Sequence, residues 1–137
     1  MSHKSAKIAA LIEECRGREF DPHYLGYFVC FNQQLYFEAH EVLEELWLLD
    51  RRGPDGNFYK GLIQLAGAFV LLQKGRPEPA ARLFKLARTN LESYLPIHHR
   101  LDVTKVLSSI DQQVARWSAE NANRNVLSLT LSLEPPP

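Results

Sequence analysis

GLIQLAGAFVLL, residues 61–72, is the stretch on which the fold turns. Gln64 is its one polar side chain. A helix lying on the surface of a globular domain carries an apolar stripe and a polar face opposite it, and this run has no polar face. Its unbroken apolar part, LAGAFVLL at 65–72, falls far short of the roughly 20 residues that span a bilayer. The remaining solution is a helix, from about Asn57 to Lys74, packed on several sides in the middle of a bundle. Gly61, Ala66, Gly67 and Ala68 would let neighbouring backbones approach it closely.

The period stays helical on both sides of this centre. Upstream, DRRGPDG at 50–56 reads as a loop by its Gly and Pro content. Before it, residues 35–49 form a helix. An earlier one, HYLGYFVCF, is announced by Asp21 as N-cap and Pro22 at the first helical position. NQQ at 32–34 reads as the turn between these two. Residues 4–15 place Ile8, Leu11, Ile12 and Cys15 on one stripe, a short first helix.

Downstream, Gly75 ends the central helix and proline restarts the chain. A helix over 78–95 would bury Leu83, Phe84, Ala87, Leu91, Tyr94 and Leu95 and show Arg82, Lys85, Arg88 and Glu92 outward. Asp102 caps a last helix, 103–119, with Val106, Leu107, Ile110, Val114 and Trp117 inward. In the tail, 120–137, Leu127, Leu129, Leu131 and Leu133 alternate with the period of a strand, expected to lie extended on the bundle or on a second copy. The expected fold is therefore one all-α domain, 1–137, of five to six helices with an extended C-terminal tail.

Composition excludes several function classes. Sixteen basic residues balance sixteen acidic ones, so net charge recruits neither nucleic acid nor anionic membrane. No secretory signal pattern opens the chain, and the expected location is cytoplasmic. Cys15 and Cys30 form no CxxC pair and read as free thiols.

Chemistry concentrates in FEAHEVLEELW, residues 37–47. Projected at about 100° per residue, Glu38, Glu41 and Glu45 form an acidic strip that can face water. His40 and Glu44 fall among Tyr36, Phe37, Leu43, Trp47 and Leu48. An i, i+4 pair on an apolar face needs a partner, and each is the other's nearest. The plain reading is a hydrogen-bonded imidazole–carboxylate pair in the core. The sharper one is a pocket for a small ligand or a divalent metal ion, with His40 and Glu44 as ligands, Gln64 supporting, and Trp47 and Tyr36 as walls. A metal there needs a further ligand from elsewhere in the fold. Zincin chemistry needs H-E-x-x-H, and position 44 is Glu, not His. No histidine completes a Glu-x-x-His pair of the di-iron type. His98, His99 and Asp102 make a second polar cluster, read as an inter-helix loop.

FNQQLYFEAHEVLEELW at 31–47, followed by YKGLIQLAGAFVLLQKGRPEPAARLFKLARTNLESY at 59–94, resembles a small bacterial and archaeal family, domain of unknown function 309, over residues 28–102. The family pattern H-x-x-x-E-x-x-W/Y is matched by His40, Glu44 and Trp47. The resemblance implies an all-helical fold and a functionally important, metal-binding role for that pattern, with no assigned activity. Many members carry a histidine where this chain has Leu71, on the face of Gln64, so one candidate third ligand is missing. The alternative class is a helical interaction or assembly module. Its contact surfaces would be the tail, the acidic strip or the basic strip of Arg82, Lys85 and Arg88, with a homo-oligomer among the expected partners.

Overall fold

The computed structural model describes residues 6–118 and 129–135, the side chains of 117 and 118 excepted. Six helices follow one another: α1 (Ala6–Glu14), α2 (Pro22–Asn32), α3 (Tyr36–Asp50), α4 (Gly56–Gln73), α5 (Pro77–Leu91) and α6 (Val103–Ser118). Between α5 and α6 lie one 3₁₀ turn, Glu92–Tyr94, and a hairpin of β1 (Ile97–His98) and β2 (Leu101–Asp102). The strands pair antiparallel, Ile97 with Asp102 and His98 with Leu101. Among the described residues no helix is long and apolar enough to cross a membrane.

The helix starts follow their local chemistry. Asp21 accepts the His23 N–H at 2.7 Å and Pro22 opens α2. Asp102 accepts the Lys105 N–H at 3.0 Å at the start of α6. Gln33 and Gln34 make the turn between α2 and α3, with Gln34 in the left-handed region at φ 63°. The helix expected over 78–95 stops at Leu91 instead, and Leu95 is left exposed at 46%. The apolar period does continue to Leu95, but the chain tightens into the 3₁₀ turn and Leu95 turns to extended backbone before Pro96.

α4 packs between α3 and α5, α2 lies on α3, α6 on α5, and α1 on α2. Aromatic rings lock this centre. Phe69 stacks on Tyr36 at 4.9 Å and meets Phe31 and Phe84 edge-on at 5.5 and 5.3 Å, joining α4 to α2, α3 and α5. The buried Tyr27 hydroxyl donates to the Leu62 carbonyl at 2.6 Å, tying α2 to α4. On the outer surface Arg88 grips Asp111 of α6 with two bonds, at 2.8 and 3.1 Å, so this member of the basic strip is committed within the fold.

The close α4–α5 approach depends on Gly61. A Cβ there would stand 2.7 Å from Leu91 Cγ, 2.9 Å from its Cδ2 and 3.3 Å from the Ala87 carbonyl oxygen, and Leu91 is fully buried. Alanine favours a helix over glycine by about 1 kcal/mol, but overpacking a filled core costs roughly 1–3 kcal/mol. The overlap with a side chain that has no room to move should win. Gly61→Ala is expected to lower the urea midpoint, whereas a raised midpoint would show that α5 can retreat.

The described part of the tail, residues 129–135, lies on its own chain. Within it Leu131 is buried, Leu129 and Leu133 pack against the core, and Leu133 bridges Leu101 antiparallel. Leu127 lies outside the described residues, and so does the side chain of Trp117.

Candidate functional site

The α3 pair is formed, but not where the apolar wall was expected to enclose it. His40 Nε2 stands 3.3 Å from Glu44 Oε2, with 31% and 43% of the two side chains exposed. Tyr36 and Leu43 are buried in the core, Trp47 packs partly against it, and Phe37 and Leu48 are exposed at 52% and 53%. The pair therefore sits at the boundary of the helix's buried face, which is made of Tyr36, Ala39, Val42 and Leu43. Gln64 meets a different partner from the one foreseen: its Oε1 accepts from Asn90 Nδ2 of α5 at 2.7 Å. Leu71 packs against the core.

A second constellation forms at the end of the bundle where α3 hands over to α4. Asp55 occupies the N-cap position of α4, yet its side chain makes no capping bond. A capping Asp contributes about 0.5–2 kcal/mol, so the carboxylate is diverted from a stabilising role. Both its oxygens are engaged elsewhere. Oδ1 lies 2.7 Å from His98 Nε2, and Oδ2 lies 2.8 Å from His99 Nε2. Gly56 lets the chain turn here, since a Cβ on it would overlap the backbone carbonyl of Arg51.

Two consecutive residues rarely aim at one point from a strand, because neighbours point to opposite faces. Here the hairpin turn resolves the conflict. His99 and Arg100 both adopt left-handed backbone, φ 45° and 62°, and the turn brings His99 round beside His98 with ring centroids 4.2 Å apart. Each such residue costs of order 1–3 kcal/mol when it is not glycine. Type I′ hairpins normally use Asn-Gly or Asp-Gly at these places. Two bulky residues there imply that the surroundings enforce the turn. Tyr24 donates its hydroxyl to the His99 carbonyl at 2.9 Å, and Arg100 pairs with Glu19 at 2.6 Å while its guanidinium lies 5.7 Å from the Phe20 ring centre.

The site is a half-open aromatic recess. Phe58 and Tyr94 flank His98 at 4.6 and 4.7 Å, and the Tyr94 hydroxyl is anchored on the Pro54 carbonyl at 2.7 Å. Asp55, His98 and His99 keep 23%, 29% and 31% of their side chains exposed. Burial alone would raise the Asp55 pKa, but the hydrogen bonds from His99 and His98 outweigh it and hold the carboxyl below its ordinary value. Next to it, burial and the carboxylates of Asp55, Asp50 and Asp21 push the Tyr59 hydroxyl up to about 12. His23 stands 3.0 Å from both Asp21 and Glu45.

Among the described residues, Asp55, His98 and His99 are a set of three ligand-type side chains whose donor atoms lie within 4.8 Å of one another. Sequence reading noted the two histidines but grouped them with Asp102, which caps α6 instead. Asp55 falls in the loop expected over 50–56, 43 residues from His98, so local pattern gives no link between them. The signal available beforehand was an Asp at the start of α4, and it points first to a cap.

Residues 24–83 match the family model described as Domain of unknown function (DUF309). The resemblance read from the sequence is thereby supported. The matched segment takes in α2 from Tyr24 onward, α3, α4 and the first half of α5, and so holds His40, Glu44, Trp47, Gln64 and Asp55. His98 and His99 lie beyond it. No curated protein and no solved structure matches the chain.

Proposed function

We propose that this protein binds a divalent metal ion and that the centre is Asp55, His98 and His99. The observation that supports it is the convergence of one carboxylate and two imidazoles, from elements far apart in sequence, on a point at the solvent boundary. Two nitrogens and one oxygen suit borderline ions such as zinc, iron(II) or manganese, and three protein ligands leave positions open for water or a ligand. The present 2.7 and 2.8 Å contacts are hydrogen bonds. Asp55, His98 and His99 would hold the ion through the same oxygen and nitrogen atoms that now share these hydrogen bonds.

The sequence-derived alternative puts the ion, or a small ligand, on His40 and Glu44 with Trp47, Tyr36 and Gln64 around them. That pair supplies two donors, and the amide expected to support it is engaged by Asn90. A second reading, the helical interaction module, is favoured by exposed Phe37 and Leu48 on either side of the pair.

Metal analysis of untagged protein purified without chelators, followed by zinc titration, separates these. The expected result is one equivalent of zinc for the unmodified chain, retained by His40→Ala. Zinc that follows His40 instead of Asp55 would move the centre to α3, and a chain that takes up no zinc, iron or manganese would leave the interaction module standing.

A further inference from the structure

The turn that carries His99 is held from two sides, and one of them is the C-terminal tail. Asn32, the last residue of α2, grips the tail backbone: its Nδ2 donates to the Leu131 carbonyl and its Oδ1 accepts the Leu131 N–H, both at 2.8 Å. Leu131 is buried to 4% exposure, and Leu133 bridges Leu101. One residue further, the Glu134 N–H donates to the Arg100 carbonyl at 2.6 Å. The His99 carbonyl is taken by Tyr24. Both left-handed residues of the turn therefore have their carbonyls fixed, one by α2 and one by the tail. Backbone of this kind persists only where its surroundings over-determine it. The His99 conformation in turn decides whether its imidazole reaches Asp55.

We infer that residues 129–135 are a strap that positions the metal centre, so that strap docking and metal binding are coupled. The inference rests on the reading of Asp55, His98 and His99 as the ligands. Asn32 and Glu134 are positioning residues, acting on the centre through the turn. Coupling between two equilibria is reciprocal: a docked strap raises metal affinity, and bound metal tightens the strap by the same factor.

The test uses the full chain with zinc as the probe, in three forms: unmodified, Asn32→Ala and Glu134→Pro. Glu134→Pro removes the N–H that donates to the Arg100 carbonyl, at a position where the following Pro135 already favours extended backbone. Zinc affinity by calorimetry is expected to fall about tenfold in each variant. Zinc should also slow amide exchange across 129–134 in the unmodified chain, a response that a merely structural tail would not show. If Asn32→Ala does not fold, Glu134→Pro carries the test, since the Glu134 side chain is no part of the core. Equal affinity in Glu134→Pro with exchange unmoved by zinc overturns the strap and leaves the metal centre intact. No zinc uptake by the unmodified chain overturns the metal centre, and the strap's role with it.

Discussion

Asp55→Ala is expected to weaken zinc binding by about a hundredfold or more while the helices stay in place. Loss of an outer partner of a metal ligand alone typically costs 10–100-fold, and Asp55 is placed to be a ligand itself. It is also the only one of the three side chains that touches both others through hydrogen bonds, so its removal unties His98 and His99 together. The fold should tolerate the change because the carboxylate does not cap α4. The stability lost should be about 1–3 kcal/mol, for two imidazoles left without their acceptor but still partly solvated. Asp55→Asn isolates the charge: it keeps the shape and one acceptor oxygen, and zinc affinity should again drop. In the unmodified chain, zinc at a hundred times its Kd should stabilise the fold by about 2.7 kcal/mol, a rise in Tm of roughly 10 °C. Both variants should lose that rise. An Asp55→Ala protein that still gains it would remove Asp55 from the centre.

Phe69→Ala should cost about 3–5 kcal/mol, the largest effect of any single truncation considered. The ring is fully buried at the point where α2, α3, α4 and α5 meet, against Phe31, Tyr36 and Phe84. Those three neighbours are themselves held in different helices, so they cannot close over the space together, and the cavity term adds to the lost transfer free energy. Against a total stability of about 5–15 kcal/mol, this is at least about a fifth of what holds the domain together. Urea unfolding should show a lower midpoint with an unchanged slope, and Phe69→Leu should recover most of the loss. A loss below about 1.5 kcal/mol for the alanine variant would mean that α4 is not the centre of the bundle.

The family pattern and the proposed centre are different parts of this molecule. His40, Glu44 and Trp47 lie within the DUF309 segment, on a helix face that stays partly in water. His98 and His99 come from beyond it and join Asp55, which is inside it. A chain that shares the pattern but ends before the hairpin would lack two of the three proposed ligands. Comparing zinc uptake of this protein before and after His98→Ala tests that separation directly, with loss of uptake expected.

Much of the fold was legible in the residues themselves. Asp21 and Pro22, the NQQ turn, Gly75 and Asp102 mark helix boundaries through the local backbone, and a local cause needs no tertiary knowledge to be read. The unbroken apolar run at 61–72 determined that a helix lies at the centre, because burial on all sides is the one way to keep such a surface from water. The i, i+4 contact of His40 with Glu44 was legible for the same reason, being fixed by helix geometry alone. How deeply that pair is buried was not legible, since a helical projection orders the faces of a helix without saying which sector its neighbours cover. Tertiary structure alone decided that sector, the early end of α5, and the meeting of Asp55 with His98 and His99. The reason is distance along the chain: Asp55 and His98 are 43 residues apart and Asn32 and Leu131 are 99 apart. No periodicity encodes a meeting between a loop, a strained turn and a tail. They come together only when the helices between them have packed.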